Sequence, residues 1–170
     1  MERKNLWAPW RIKYIQGLSH KEGCFLCDYL AAVEKDRDNC LLWRTEQAFV
    51  VFNRFPYNNG HLLIAPNRHI ATLDDASDEE LLTLLTLVRD CQKALSLAIR
   101  PHGFNVGMNF GRCAGAGLPG HLHIHVVPRW DGDTNFMHVC SDTDVISQGL
   151  YELYDQLVEI SRTEHLPSRR

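Results

Sequence analysis

Three imidazoles at alternate positions, His121, His123 and His125 in GHLHIHVVPRW (residues 120–130), are the densest reactive chemistry in the chain. In an extended segment, residues i, i+2 and i+4 share one face, about 7 Å apart for each step of two. The spacing predicts a strand that turns three histidines to a working surface and Leu122, Ile124 and Val126 to the core, with Pro128 ending the ladder. Histidine titrates near ~6.5, so clustered rings repel unless something anionic or metallic lies among them. A neutral imidazole can attack phosphorus, form a phosphohistidine and expel an alcohol or phosphate leaving group. One ring nitrogen then needs an acceptor behind it to fix the tautomer, and flanking donors must stabilise the transition-state oxygens. Any single histidine is more economically read as a hydrogen-bonded surface or core residue. Three on one face favour ligand handling.

The loop just upstream, GRCAGAGLPG (residues 111–120), is rich in glycine. Its backbone N–H groups could converge on an anion, and Asn109 at its mouth adds an amide for a phosphoryl oxygen. A second motif, CFLC, pairs Cys24 with Cys27 at the spacing of half a tetrahedral zinc site. Alone it is also compatible with coincidence or a redox pair, although a redox pair calls for a thioredoxin-like strand–helix context that the sequence lacks.

The elements that must position these residues are legible in outline. CFLCDYLAAVEKD becomes a short helix. AFVVFNRFP (48–56) and HLLIAP (61–66) read as neighbouring antiparallel strands across the turn YNNG. Ser77 and Glu80 have capping-box spacing, and Leu81, Leu84, Leu85, Val88, Cys91, Leu95 and Ala98 follow as one apolar face of a long helix that stops before Pro101. GFNVGMNFG is a further strand. Ile146, Leu150, Leu153, Leu157 and Ile160 space a last helix over about 144–162. The expected fold is α+β: an antiparallel sheet of about five strands with one long helix and a C-terminal helix.

Composition bounds the function. The 170 residues suit a single domain, with an arm over 1–23 anchored by Trp7 and Trp10, a core over 24–136 and a C-terminal extension over 137–170. A formal charge of −3 argues against a binder of polymeric nucleic acid. No apolar run approaches the ~20 residues of a bilayer span, so no membrane association is expected. MERKNLWAPWR has no apolar stretch typical of a secretory signal, and the six cysteines suggest a reducing, cytoplasmic setting rather than a disulfide framework. The open edge of such a sheet makes a homodimer the expected assembly.

HLHIHVVPR resembles the signature of the histidine triad (HIT) superfamily of nucleotide hydrolases and transferases, and NRFPYNNGHLLIAPNRH resembles its other block. APWR, GRCAGAGLPGHLHIHVVPRW and GDTNF resemble the bacterial branch linked to diadenosine tetraphosphate phosphorylase or hydrolase activity. The resemblance implies a HIT-like fold and cleavage of a dinucleoside polyphosphate through a nucleotidyl-histidine intermediate, by hydrolysis or phosphorolysis. It makes His123 the nucleophile and gives His125 the phosphate or bridging oxygen. Asn53 would bond the ribose, Val51 and Leu63 would flank the base, and Asn109 with Gly115, Ala116 and Gly117 would hold phosphates. Relatives that keep both cysteines imply a closed structural zinc site of Cys24, Cys27, His69 and His121, with no redox cofactor. The other histidines, His61 among them, are read as surface or packing residues, although His61 follows Gly60 in a family-like place.

Two departures narrow the reading. Leu118 stands where phosphoramidate-cleaving members carry Ser or Thr, and His125 stands where uridylyltransferase relatives carry Gln. The rival from another class is a zinc-stabilised nucleotide-binding or signalling module with little turnover.

Overall fold

The computed structural model describes residues 23–133, 146 and 148–168. The arm with Trp7 and Trp10, Cys140 and the start of the last helix expected at Asp144 lie outside them. Two short helices, α1 (Phe25–Ala31) and α2 (Asp36–Asn39), precede strands β1 (Leu41–Arg44), β2 (Ala48–Phe52) and β3 (Leu62–Pro66). Helix α3 (Asp78–Ile99) crosses to β4 (Gly103–Met108), followed by β5 (Ile124–Arg129) and α4 (Leu150–Thr163). The strands form one antiparallel sheet in the order β1-β2-β3-β5-β4. β5 lies inside the sheet, between β3 and edge strand β4; it starts at Ile124, so of the three histidines expected on one strand only His125 lies within it, and His121 and His123 precede it.

β2 and β3 are continuous apolar runs because both their faces are covered. On one face Val50, Phe52, Leu62 and Ile64 pack with Leu84, Leu87, Leu95 of α3 and Leu153, Leu157 of α4. On the other, Phe49, Val51, Leu63 and Ala65 pack under Leu26 and Leu30 of α1. That second layer covers β1 to β3 and leaves the same face of β5 for the histidines.

α3 begins as its capping box requires: the Ser77 hydroxyl accepts the Glu80 N–H at 3.2 Å, and the Glu80 carboxylate accepts the Ser77 N–H at 2.8 Å. Its buried stripe is rotated from the expected one. Leu85 is 63% exposed, whereas Leu87 and Ala94 are fully buried. At ~100° per residue Leu85 lies about 140° from the middle of that stripe.

Three expected boundaries move. The strand expected to reach Pro56 ends at Phe52, where Asn53 begins a turn. The last helix starts at Leu150, so Ile146 precedes it. Pro128 does not end the ladder: it lies within β5, opposite Phe104 of β4. Its carbonyl accepts a hydrogen bond from Asn58 on the other side, beyond the last β3 pair at Val126, so its missing N–H falls where no strand needs it. β1, four residues with an irregular register between Leu41 and Trp43, carries no clear sequence signal. It is fixed by distant partners: Tyr154 donates to the Leu41 carbonyl at 3.1 Å and Trp43 Nε1 to Ser161 Oγ at 2.7 Å.

Candidate active site and metal cluster

Register places the site. Val51 of β2 faces Leu63 of β3, Leu63 faces His125 of β5, and His125 faces Gly107 of β4. These form one row across the sheet. Leu118 and α1 cover its apolar end, and a Cβ at Gly107 would meet nothing within 4 Å, so the row opens beside His125. His123 immediately precedes β5 and Asn109 immediately follows β4, each one residue beyond the Met108–Ile124 pair.

His123 is nearly buried, and its Nδ1 lies 2.7 Å from the His121 carbonyl oxygen. A carbonyl only accepts, so Nδ1 carries the hydrogen and Nε2 keeps its lone pair. Burial lowers the pKa of the ring and keeps it neutral. This is the tautomer that a nucleophilic imidazole needs.

His125 is held by a second chain of bonds. The Tyr57 N–H donates to His61 Nδ1 at 3.1 Å, and Asn53 Nδ2 lies 3.2 Å from the same nitrogen. With Nδ1 accepting, His61 Nε2 carries the hydrogen and donates it to His125 Nδ1 at 2.9 Å. The hydrogen of neutral His125 therefore sits on Nε2. Burial, then the neighbouring His125 and His123 rings, push the His61 pKa down to about 3, so this ring stays uncharged. Tyr57 stacks on His125 with centroids 5.7 Å apart and rings 19° from parallel.

His61 is thus a fourth histidine of the site rather than a surface residue. Its only local sequence signal is its place at the end of the YNNG turn. The other candidates are distributed less simply. Asn53 bonds His61 and Phe55, and Val51 and Leu63 are sealed under α1. In the glycine loop the N–H groups of Gly115 and Ala116 donate to the carbonyls of Arg112 and Gly111 at 3.0 and 3.3 Å. Those two amides close the loop's own turns.

The second cluster lies directly behind the first. Cys24 Sγ is 3.2 Å from His121 Nδ1, Cys27 Sγ is 3.2 Å from His69 Nδ1 and 3.5 Å from His121 Nδ1, and all four ligand atoms fall within 4.8 Å of one another. Tetrahedral zinc, with bonds of about 2.3 Å to sulfur and 2.0 Å to nitrogen, separates S and N ligands by about 3.5 Å. The residues fit. His121 Nε2 lies 2.9 Å from the Pro66 carbonyl, so its hydrogen is there and Nδ1 points its lone pair at the cysteines. Burial and the Cys24 thiol push the Cys27 thiol up to about 11, a direction that a bound cation reverses.

Two clamps bring these ligands together. Arg44 of β1 donates to the Leu30 and Tyr29 carbonyls and pairs with Asp36, which seats α1 and its cysteines on the sheet. Arg68, beside His69, makes a two-point bond with buried Glu80 at 2.8 and 2.6 Å. That pair holds the Glu80 carboxyl well below its usual range.

A family model, the HIT domain, matches residues 34–132. The chain belongs to the HIT family. It is 34% identical over 151 residues to the AP-4-A phosphorylase of Mycobacterium tuberculosis (strain H37Rv), covering 85% of this chain and 77% of that protein. It is 32% identical over 93 residues to the asymmetrical bis(5'-nucleosyl)-tetraphosphatase of Schizosaccharomyces pombe, over 55% of this chain and 50% of that one. Its fold is that of a zinc-bound histidine triad family protein from Mycobacterium smegmatis, with a TM-score of 0.65 and 22% identity over 84% of this chain and 98% of that one.

The HIT match takes in His61, His69, His121, His123 and His125 and begins after Cys24 and Cys27. The Cys–His cluster therefore joins a segment outside the matched region to the residues that lead into β5. In this HIT chain one residue, His121, links the two clusters: its ring faces the cysteines, and its carbonyl accepts the His123 Nδ1–H.

Proposed function

We propose that this chain is a nucleotide hydrolase or transferase that cleaves a dinucleoside polyphosphate through a nucleotidyl-histidine intermediate. The observation that carries the reading is the bond from His123 Nδ1–H to the His121 carbonyl, beside a His125 whose hydrogen is on Nε2. His123 Nε2 forms a bond to the α-phosphorus while the bond to the bridging oxygen breaks. The departing nucleotide takes that electron pair, and His125 Nε2–H supports the oxygen. Water or inorganic phosphate then attacks the phosphorus, restoring His123. Asn109, just after β4, and Gly117 of the glycine loop are proposed for the phosphates. Asn53 is proposed for the ribose, and Val51 with Leu63 for the wall behind the base. The similarity to AP-4-A phosphorylase supports a substrate of this class.

Cys24, Cys27, His69 and His121 would hold zinc, a reading supported by their mutual distances and by the shared fold with the zinc-bound M. smegmatis protein. Four protein ligands leave no open position, so the ion would supply rigidity rather than activate water. A homodimer is proposed as well, as an open sheet edge leads one to expect.

Replacing His123 with Ala should abolish turnover of diadenosine tetraphosphate while nucleotide binding persists. Wild-type chain incubated with labelled nucleotide and quenched in base should carry an adduct lost in acid. An active His123→Ala variant would refute the assignment. A wild-type chain that binds without forming an adduct would favour the rival reading, a nucleotide-binding module. Omitting inorganic phosphate separates phosphorolysis from hydrolysis by whether a nucleoside diphosphate appears.

A further inference from the structure

We propose that Asn58, anchored by Asp133 and Arg129, is a positioning residue that decides which nitrogen of His125 carries the hydrogen. The catalytic consequence rests on the proposed nucleotidyl transfer. The tautomer itself can be read without any substrate.

The His125 hydrogen is set by a donor two steps away. Asn53 alone cannot specify it, because a side-chain amide can rotate and offer His61 either a donor or an acceptor. A backbone N–H only donates. The Tyr57 N–H therefore determines that His61 Nδ1 accepts, provided the turn over residues 57–60 keeps its shape.

Asn58 holds that turn. Its Oδ1 accepts the Asn59 N–H at 2.9 Å, and its carbonyl accepts the His61 N–H at 3.3 Å. Its Nδ2 reaches out of the turn to the Pro128 carbonyl at 3.2 Å and to Asp133 Oδ2 at 2.8 Å. The Asp133 carboxylate is fixed in turn by Arg129 Nε and Nη2 at 2.7 and 2.8 Å and by the Trp130 N–H at 3.1 Å. Arg129 also donates to Asn105 Oδ1 of β4 at 2.9 Å. One end of β5 thus carries His125, and the other end grips the turn that orients it. A two-point charged pair beside a planar amide is a stiff anchor, since each bond is directional and charge-assisted.

The test is the ring-nitrogen NMR spectrum of chain labelled with ¹⁵N-histidine, without nucleotide, for the wild type, Asn58→Ala and the isosteric Asp133→Asn. The wild type should show His125 with its hydrogen on Nε2 and His123 with its hydrogen on Nδ1. In a folded variant the His125 signals should move toward a mixture of tautomers while those of His123 stay in place. Turnover of diadenosine tetraphosphate should fall in kcat by about tenfold with KM little changed, as when a proton donor is misplaced. No His125 shift in either variant, or a shift that spreads equally to His123 in both, would overturn the proposal. A wild type with the expected tautomers but no turnover would instead sink the proposed function and leave this inference standing.

Discussion

Acidification should destabilise the fold through His61, by an amount that the structure allows to be worked out. Inside the protein this ring takes up a proton only at about pH 3, because burial and the His125 and His123 rings oppose its charge. In the unfolded chain it protonates near ~6.5. Between those values the unfolded state binds a proton that the folded state refuses, so stability falls as pH falls. It is fully present above pH ~6.5 and is lost at about 1.4 kcal/mol per pH unit toward the folded value. At pH 4.5 the loss from this one group is about 3 kcal/mol, a large share of the 5–15 kcal/mol typical of a domain. Urea unfolding at half-unit steps from pH 7.5 to 4.5 would measure it, with His61→Asn as the reference. Asparagine keeps an acceptor for the Tyr57 N–H but does not titrate, so effects of acid on the metal ligands cancel in the difference. The wild-type curve should be steeper by about one proton. Parallel curves would mean that His61 can be charged inside the fold, and the tautomer chain to His125 would lose its basis.

Gly60→Ala should cost about 2–4 kcal/mol, combining a left-handed backbone with overpacking. At φ +75° its Cβ would stand 2.9 Å from Ile99 Cδ1 and 3.0 Å from Leu95 Cδ2. Thermal melting would check this, and an unchanged midpoint would show that the turn gives way more easily than its packing suggests. Purified chain should contain one zinc ion by elemental analysis, and Cys27→Ser should contain none. Removing the ion with a chelator should lower stability by about 3 kcal/mol if free zinc had stood a hundredfold above its dissociation constant. Equal zinc content in both chains would separate Cys27 from the ion.

Local order was readable because it repeats locally. The alternation His121, His123, His125 against Leu122, Ile124, Val126 needs only a period of two, and the structure keeps those three apolar residues in the core. Ser77 and Glu80 announce the start of α3 because a capping box spans three residues. The cysteine spacing marked half of a Cys–His cluster, the resemblance implied His69 and His121, and the structure brings all four together. Leu85 falls outside the buried stripe because periodicity says that a stripe exists but does not say where its centre meets the sheet.

Chemistry across the sheet could not be read this way. Whether His61 was packing or part of the site depended on a ring 64 residues away, and the grip on its turn comes from Asp133, 75 residues from Asn58. The chain dictates which imidazoles exist and that they alternate. Which nitrogen of each bears a hydrogen is decided by acceptors and donors that meet only when β5 slots between β3 and β4. A proton's location is the property of a bonded pair, and here the two members of each decisive pair come from different parts of the folded chain.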